Sequence, residues 1–109
     1  MSVSETEAGR ELVAEWQGLQ GRLAEWVLKL AEFDSAGLWA IDGFTSCVSW
    51  LEVKCDIARG KAFEKVRVAH ELTRRPVIRS AFAAGTLPFT RAQALTRLAG
   101  LDDEREVSV

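Results

Sequence analysis

Ten lysines and arginines fall between residues 54 and 97, against three acids. Six of the ten crowd into one stretch, DIARGKAFEKVRVAHELTRR, residues 56–75. Arg59, Lys61, Lys65 and Arg67 share one helix-like run, and Arg74, Arg75 and Arg79 carry the positive charge past its end. Cations at this density neutralise a phosphate backbone, and arginine can also bond bidentately to guanine. The flanks have the opposite sign: residues 1–53 hold nine acids and three bases, and residues 98–109 hold four acids and one base. The formal net charge of -2 therefore conceals a middle block of +7. Such polarity leads us to expect either a polyanion partner, with double-stranded DNA foremost, or an acidic surface that meets the block within or between subunits.

Catalytic chemistry finds little footing. His70 is the single histidine and lies inside the basic run, so a surface position is expected rather than a general base. Cys47 and Cys55 stand eight apart with no second pair beside them, and are expected to be ordinary buried thiols rather than zinc ligands. There is no phosphate-binding glycine loop and no nucleophile–base pair. We therefore expect no enzyme activity, no metal, no cofactor and no small-molecule substrate.

The elements that must position the basic run can be read from periodicity. At 109 residues, with 48% apolar and 28% charged residues, the chain suits one small folded domain. No apolar run approaches the length of a membrane span, and the polar N-terminus does not resemble a signal peptide, so the cytoplasm is the expected compartment. Leu12, Trp16, Leu19, Leu23, Trp26, Leu30 and Phe33 alternate steps of four and three, which predicts one long helix over about residues 5–33. Such a helix is about 43 Å long at 1.5 Å per residue. It outreaches a small domain, so Leu12, Trp16, Leu19, Leu23 and Trp26 form a candidate dimer interface, with an internal seam as the alternative. Residues 1–36 thus read as a long amphipathic helix and 37–109 as a helix-turn-helix-like unit.

Within that second unit, Gly37 is expected to close the first helix and Asp42-Gly43 to turn the chain. Trp39, Ile41 and Phe44 are expected to anchor the connection in the core. Thr45 or Ser46 caps the next helix, whose Val48 and Leu51 share a face with Cys55. A break at Cys55–Ile57 leads into a helix over about residues 58–74, with Ala62, Val66 and Ala69 as a small inner stripe. Pro76 starts another helix, closed by Gly85. Thr90 and Gln93 fit a capping box for the last one, with Ala92, Leu95 and Leu98 facing inward. No stretch alternates as a strand, so the fold class is all-α. A short helix, a tight turn and a longer basic helix form the outline of a helix-turn-helix, whose second helix enters the major groove.

This part of the chain resembles the bacterial 13E12 repeat family, the domain of unknown function numbered 222. The resemblance rests on an ordered set: Gly43, Ser46, Trp50-Leu51, Gly60, Val66-Arg67-Val68-Ala69, Leu72, Pro76, Phe82, Gly85-Thr86-Leu87 and Ala94-Leu95. It covers about Leu30 to Leu98. It implies a helical domain of the kind that often precedes an HNH nuclease module. No His-Asn-His cluster is present here, so nuclease activity is not implied; the chain fits a stand-alone copy or the N-terminal piece of a longer member. Asp56 stands where the family has a small turn residue, and Ala58 where it has a serine cap. A weaker similarity links ELTRRPVIRSAFAAGTLPFTRAQALTRL to the region after the helix-turn-helix in ParB-type partition proteins. It implies that Ala58–Leu72 corresponds to a recognition helix.

Overall fold

The heptad seam does form one unbroken helix, α1 (Glu7–Ser35), although Gly18 and Gly21 lie in its interior. The structure, a computed structural model, describes residues 6–98. Thr6 caps α1, its hydroxyl accepting from the Gly9 amide at 2.9 Å, and Gly37 ends it in the left-handed region at φ 64°, which glycine adopts without steric cost. A 3-10 turn at Leu38–Ala40 follows. Then come α2 (Cys47–Lys54), α3 (Arg59–Thr73), α4 (Pro76–Ala83) and α5 (Phe89–Leu95). The described residues contain no strand, as the all-α expectation requires.

Only the C-terminal half of α1 joins the core. Ala24, Val27, Leu30 and Ala31 are buried against α3, whose Ala62, Val68, Ala69 and Leu72 face them, and Ile78 of α4, Phe82 of α4 and Ala92 of α5 close the far side. The small residues of the expected α3 stripe let α1 and α3 approach closely; Ala62 and Ala69 are fully buried and Val66 packs at the edge. Residues 10–19 of α1, by contrast, are exposed throughout. The molecule is accordingly elongated, 58 × 33 × 20 Å. Leu23 and Trp26 of the expected seam lean on the core, whereas Leu12 (67% exposed), Trp16 (60%) and Leu19 (57%) stand outside the core among the described residues.

Several local expectations hold. Ser46 caps α2, accepting from the Ser49 amide at 3.0 Å. Pro76 opens α4, and Gly85 (φ 80°) follows its end. Others need correcting. Ile41 is exposed; the short 3-10 turn aims only Trp39 at the core, where its indole donates to Asp34 Oδ1 at 2.9 Å. Cys55 is exposed because α2 stops one residue before it. Leu98 lies outside the core because α5 ends at Leu95. The Thr90–Gln93 capping box does not form: α5 begins at Phe89, behind Pro88, and the Gln93 amide is drawn instead to Glu64. The acid-rich C-terminus, residues 99–109, lies outside the described residues.

Candidate nucleic-acid interface

The turn between α2 and α3 holds Asp56 and Ala58. Asp56 adopts φ 53°, the one non-glycine residue at positive φ among those described. Aspartate tolerates this conformation better than most side chains, though less well than glycine. Ala58 occupies the N-cap of α3 with no side chain able to accept from the first-turn amides. Ile57 is partly buried and packs against the core.

The basic run does not form a single cationic face. At about 100° per residue, Arg59 and Lys61 sit about 160° apart around α3. Arg59, Phe63 and Arg74 follow an exposed stripe. Lys61 and Lys65 follow the stripe nearer α5, where the Lys65 ammonium lies over the Phe89 ring at 5.2 Å from its centroid. Partial burial, with Lys61 close by, lowers the Lys65 pKa.

Two arginines assigned to DNA by sequence are instead turned into the fold. Arg75 is only 7% exposed. Its guanidinium donates to Glu71 Oε2 (3.0 Å) and to the carbonyls of Leu95 (3.1 Å) and Leu98 (2.7 Å), so it ties the start of α4 to the last turn of α5. It is a structural clamp on the carbonyls at the end of α5 rather than a phosphate clamp. Arg67 forms a fork on Glu64 (3.0 Å to each oxygen) and donates to Gln93 O (3.1 Å) and Thr96 Oγ1 (3.3 Å). Glu64 also accepts from Gln93 Nε2 and from Arg97 at 2.6 Å. Hydrogen bonds from Arg67 first, then from Gln93 and Arg97, hold the Glu64 carboxyl down at about 2.

The remaining basic residues are more open. Arg59 reaches back to Glu52 on α2 at 2.8 Å, and Arg74 pairs with Glu71 at the surface. Among the described residues, Lys54, Lys61, Arg79 and Arg91 are exposed and make no ion pair. No base of the block pairs with Glu11, Glu15, Glu25 or Glu32 of α1. The block balances part of its charge through its own Glu64 and Glu71 and through Glu52 of α2, and its lysines and arginines leave the acids of α1 alone.

Sequence reading missed these acids as organisers. The signal was present, since Glu64–Arg67 and Glu71–Arg74–Arg75 stand at the three- and four-residue spacings that pair on a helix. His70 was expected at the surface. It is half-buried instead, with Nε2 at 2.6 Å from Asp34 Oδ2, and so joins the end of α1 to α3. Asp34 thereby receives both His70 and Trp39. Of the two thiols, Cys47 is buried, and burial foremost, then the Asp34 carboxylate, pushes it up to about 11. No group of three or more potential metal ligands occurs among the described residues, and no helix there is long and apolar enough to cross a membrane. The chain matches no protein-family model, no curated protein and no solved structure.

Proposed function

We propose that the chain is a small DNA-docking helical module, held on the duplex chiefly through phosphate contacts. The carrying observation is the charge arrangement: Lys54, Lys61, Arg79 and Arg91 of the +7 block are exposed without an ion pair among the described residues, and no lysine or arginine of the block pairs with an acid of α1. Arg59, Lys61, Lys65, Arg74 and Arg79 are the phosphate contacts, joined by Lys54 and Arg91. Arg67 and Arg75 shape the surface without touching DNA. The pairs Arg59–Glu52 and Arg74–Glu71 do not block this role, because exposed ion pairs are worth only about 0–1 kcal/mol and yield readily to a phosphate. The resemblance to the 13E12 repeat family supports the same reading, as a module that works beside a nuclease rather than as one. The spread of cations over two flanks of α3 favours backbone docking over deep base reading.

The test is duplex binding by fluorescence anisotropy across a salt series. About four to six phosphate contacts give a log–log slope of about -4 to -5, at roughly -0.9 per contact. Lys61→Ala and Arg79→Ala should each weaken binding to all duplexes alike and flatten the slope by about one. Folded protein that binds no duplex at low salt refutes the proposal. It would leave a protein-interaction domain, the second reading, which the exposed Leu12, Trp16 and Leu19 favour.

A further inference from the structure

Phe63 is the largest apolar side chain on α3, yet it is 57% exposed and takes no part in the core. On a helix the side chains that could cover its ring are those three and four positions away. All four are engaged elsewhere or absent. Arg59 reaches across the turn to Glu52 of α2 at 2.8 Å. Gly60 has no side chain, and a Cβ there would meet nothing within 4 Å. Val66 packs against the core. Arg67 is held by Glu64, Gln93 and Thr96. Aromatic side chains on a helix lean back over the preceding turn, which here is the turn of Arg59 and Gly60. At about 100° per residue, Arg59, Phe63 and Arg74 fall within about 60° of arc, and Arg74 stands about 16 Å beyond Phe63 along the axis. We propose that Phe63 is a stacking platform for an unpaired base of DNA, with Arg59 and Arg74 meeting phosphates of the same strand on either side.

The inference rests on the reading of the chain as a DNA-docking module, and names the form of DNA that the exposed stripe of α3 accepts. The flanking charge argues for this occupant. An apolar partner laid on Phe63 would desolvate the two arginines without pairing them, which is costly. A nucleic-acid strand offers a base face to the ring and phosphates to the guanidiniums at once. Both arginines can answer, because Glu52 and Glu71 hold them in exposed pairs that yield readily to a phosphate. In an unbroken duplex each base face is covered by the next base pair, and the grooves present only base edges. The ring therefore needs a base in a single strand, a gap or a bulge. Every base has such a face, so the platform tolerates any sequence. Lys61 lies on the other flank of α3, exposed and without an ion pair, and stays free to hold a duplex backbone.

Fluorescence anisotropy of the full chain with two probes tests it: a single-stranded oligothymidylate and a blunt duplex of the same length. Phe63→Ala should weaken binding to the single strand by about tenfold or more, as loss of one stacked base does, and change duplex binding by no more than about twofold. Phe63→Leu keeps apolar bulk without a ring and should bind the single strand as weakly as Phe63→Ala. Phe63→Trp should bind it at least as tightly as wild type. Phe63 lies outside the core, so all three variants should keep wild-type helicity by circular dichroism. Duplex binding by wild type, with single-strand binding absent or indifferent to Phe63→Ala, overturns the platform and leaves duplex docking intact. Equal loss on both probes overturns it as well. Phe63→Leu matching wild type overturns it in favour of a plain apolar contact, such as one to a partner protein. Folded wild type that binds neither probe overturns the DNA reading and this inference with it.

Discussion

Replacing Arg75 with alanine separates a structural arginine from a DNA-binding one. The guanidinium is almost fully buried and bonds the Glu71 carboxylate and two carbonyls at the end of α5. Its loss takes a donor from both carbonyls, leaving Leu95 only the Leu98 amide, and leaves Glu71 with only the exposed Arg74 beside it. Hydrogen bonds to a charged group contribute about 1.5–3 kcal/mol each, and breaking a buried pair costs about 3–5 kcal/mol. The bonds share one guanidinium and do not add, and Glu71 stays partly solvated, so about 3 kcal/mol is the expected loss. At about 4–8 °C per kcal/mol for a domain of this size, the melting temperature should fall by about 12–24 °C. Arg74→Ala removes an arginine from the same carboxylate, but an exposed one, and should cost at most about 1 kcal/mol. Urea unfolding of both variants, followed by circular dichroism, makes the comparison. Arg75→Lys keeps the charge without the planar fork and should fall between them. Equal stability of Arg75→Ala and Arg74→Ala, within about 0.5 kcal/mol, would refute the assignment of Arg75 to the fold.

Two further outcomes follow from the same contacts. Glu64 is held near pH 2 by Arg67, Gln93 and Arg97, below the value it has in an unfolded chain. Its contribution is therefore complete above about pH 4.5 and disappears as pH falls toward 2, removing about 1–2 kcal/mol after allowance for solvent screening; in Glu64→Gln this part of the acid dependence should vanish from pH-dependent melting curves. At the head of α3, Ala58→Ser should add the missing cap and about 1 kcal/mol of stability, and Asp56→Gly should add up to about 1 kcal/mol by relieving the positive φ; a thermal scan showing loss in both would contradict the turn geometry.

The elements were largely legible in the sequence because their signals are local. The 4-3 spacing of apolar residues gave α1 to within two residues at each end, and Ser46, Pro76, Gly37 and Gly85 marked the boundaries where they act. Legibility failed where a side chain had a choice between solvent and a distant neighbour. Arg75 and Arg79 look alike in sequence, yet the first meets the open end of α5 and the second meets water. Gln93 fits a capping box locally, but a carboxylate on α3 is the better acceptor for its amide. Net charge per block was correctly read; how three acids would apportion the arginines was not, because that depends on which helices touch.

The unsupported start of α1 makes one continuous helix a body of two stabilities. From Ala24 onward its backbone hydrogen bonds open only when the core opens. From Arg10 to Leu19 every residue is exposed, and a stretch that short is marginal in water even with its nucleus supplied by the folded half. Unwinding can begin at Thr6 and run inward without disturbing a core contact until it reaches Gln20, whose side chain accepts from the Phe89 amide. Gly18 and Gly21, each about 1 kcal/mol poorer than alanine as helix formers, flank that stopping point. The fray boundary is thus written into the sequence, and anything that grips residues 12–19 also sets how far the helix extends.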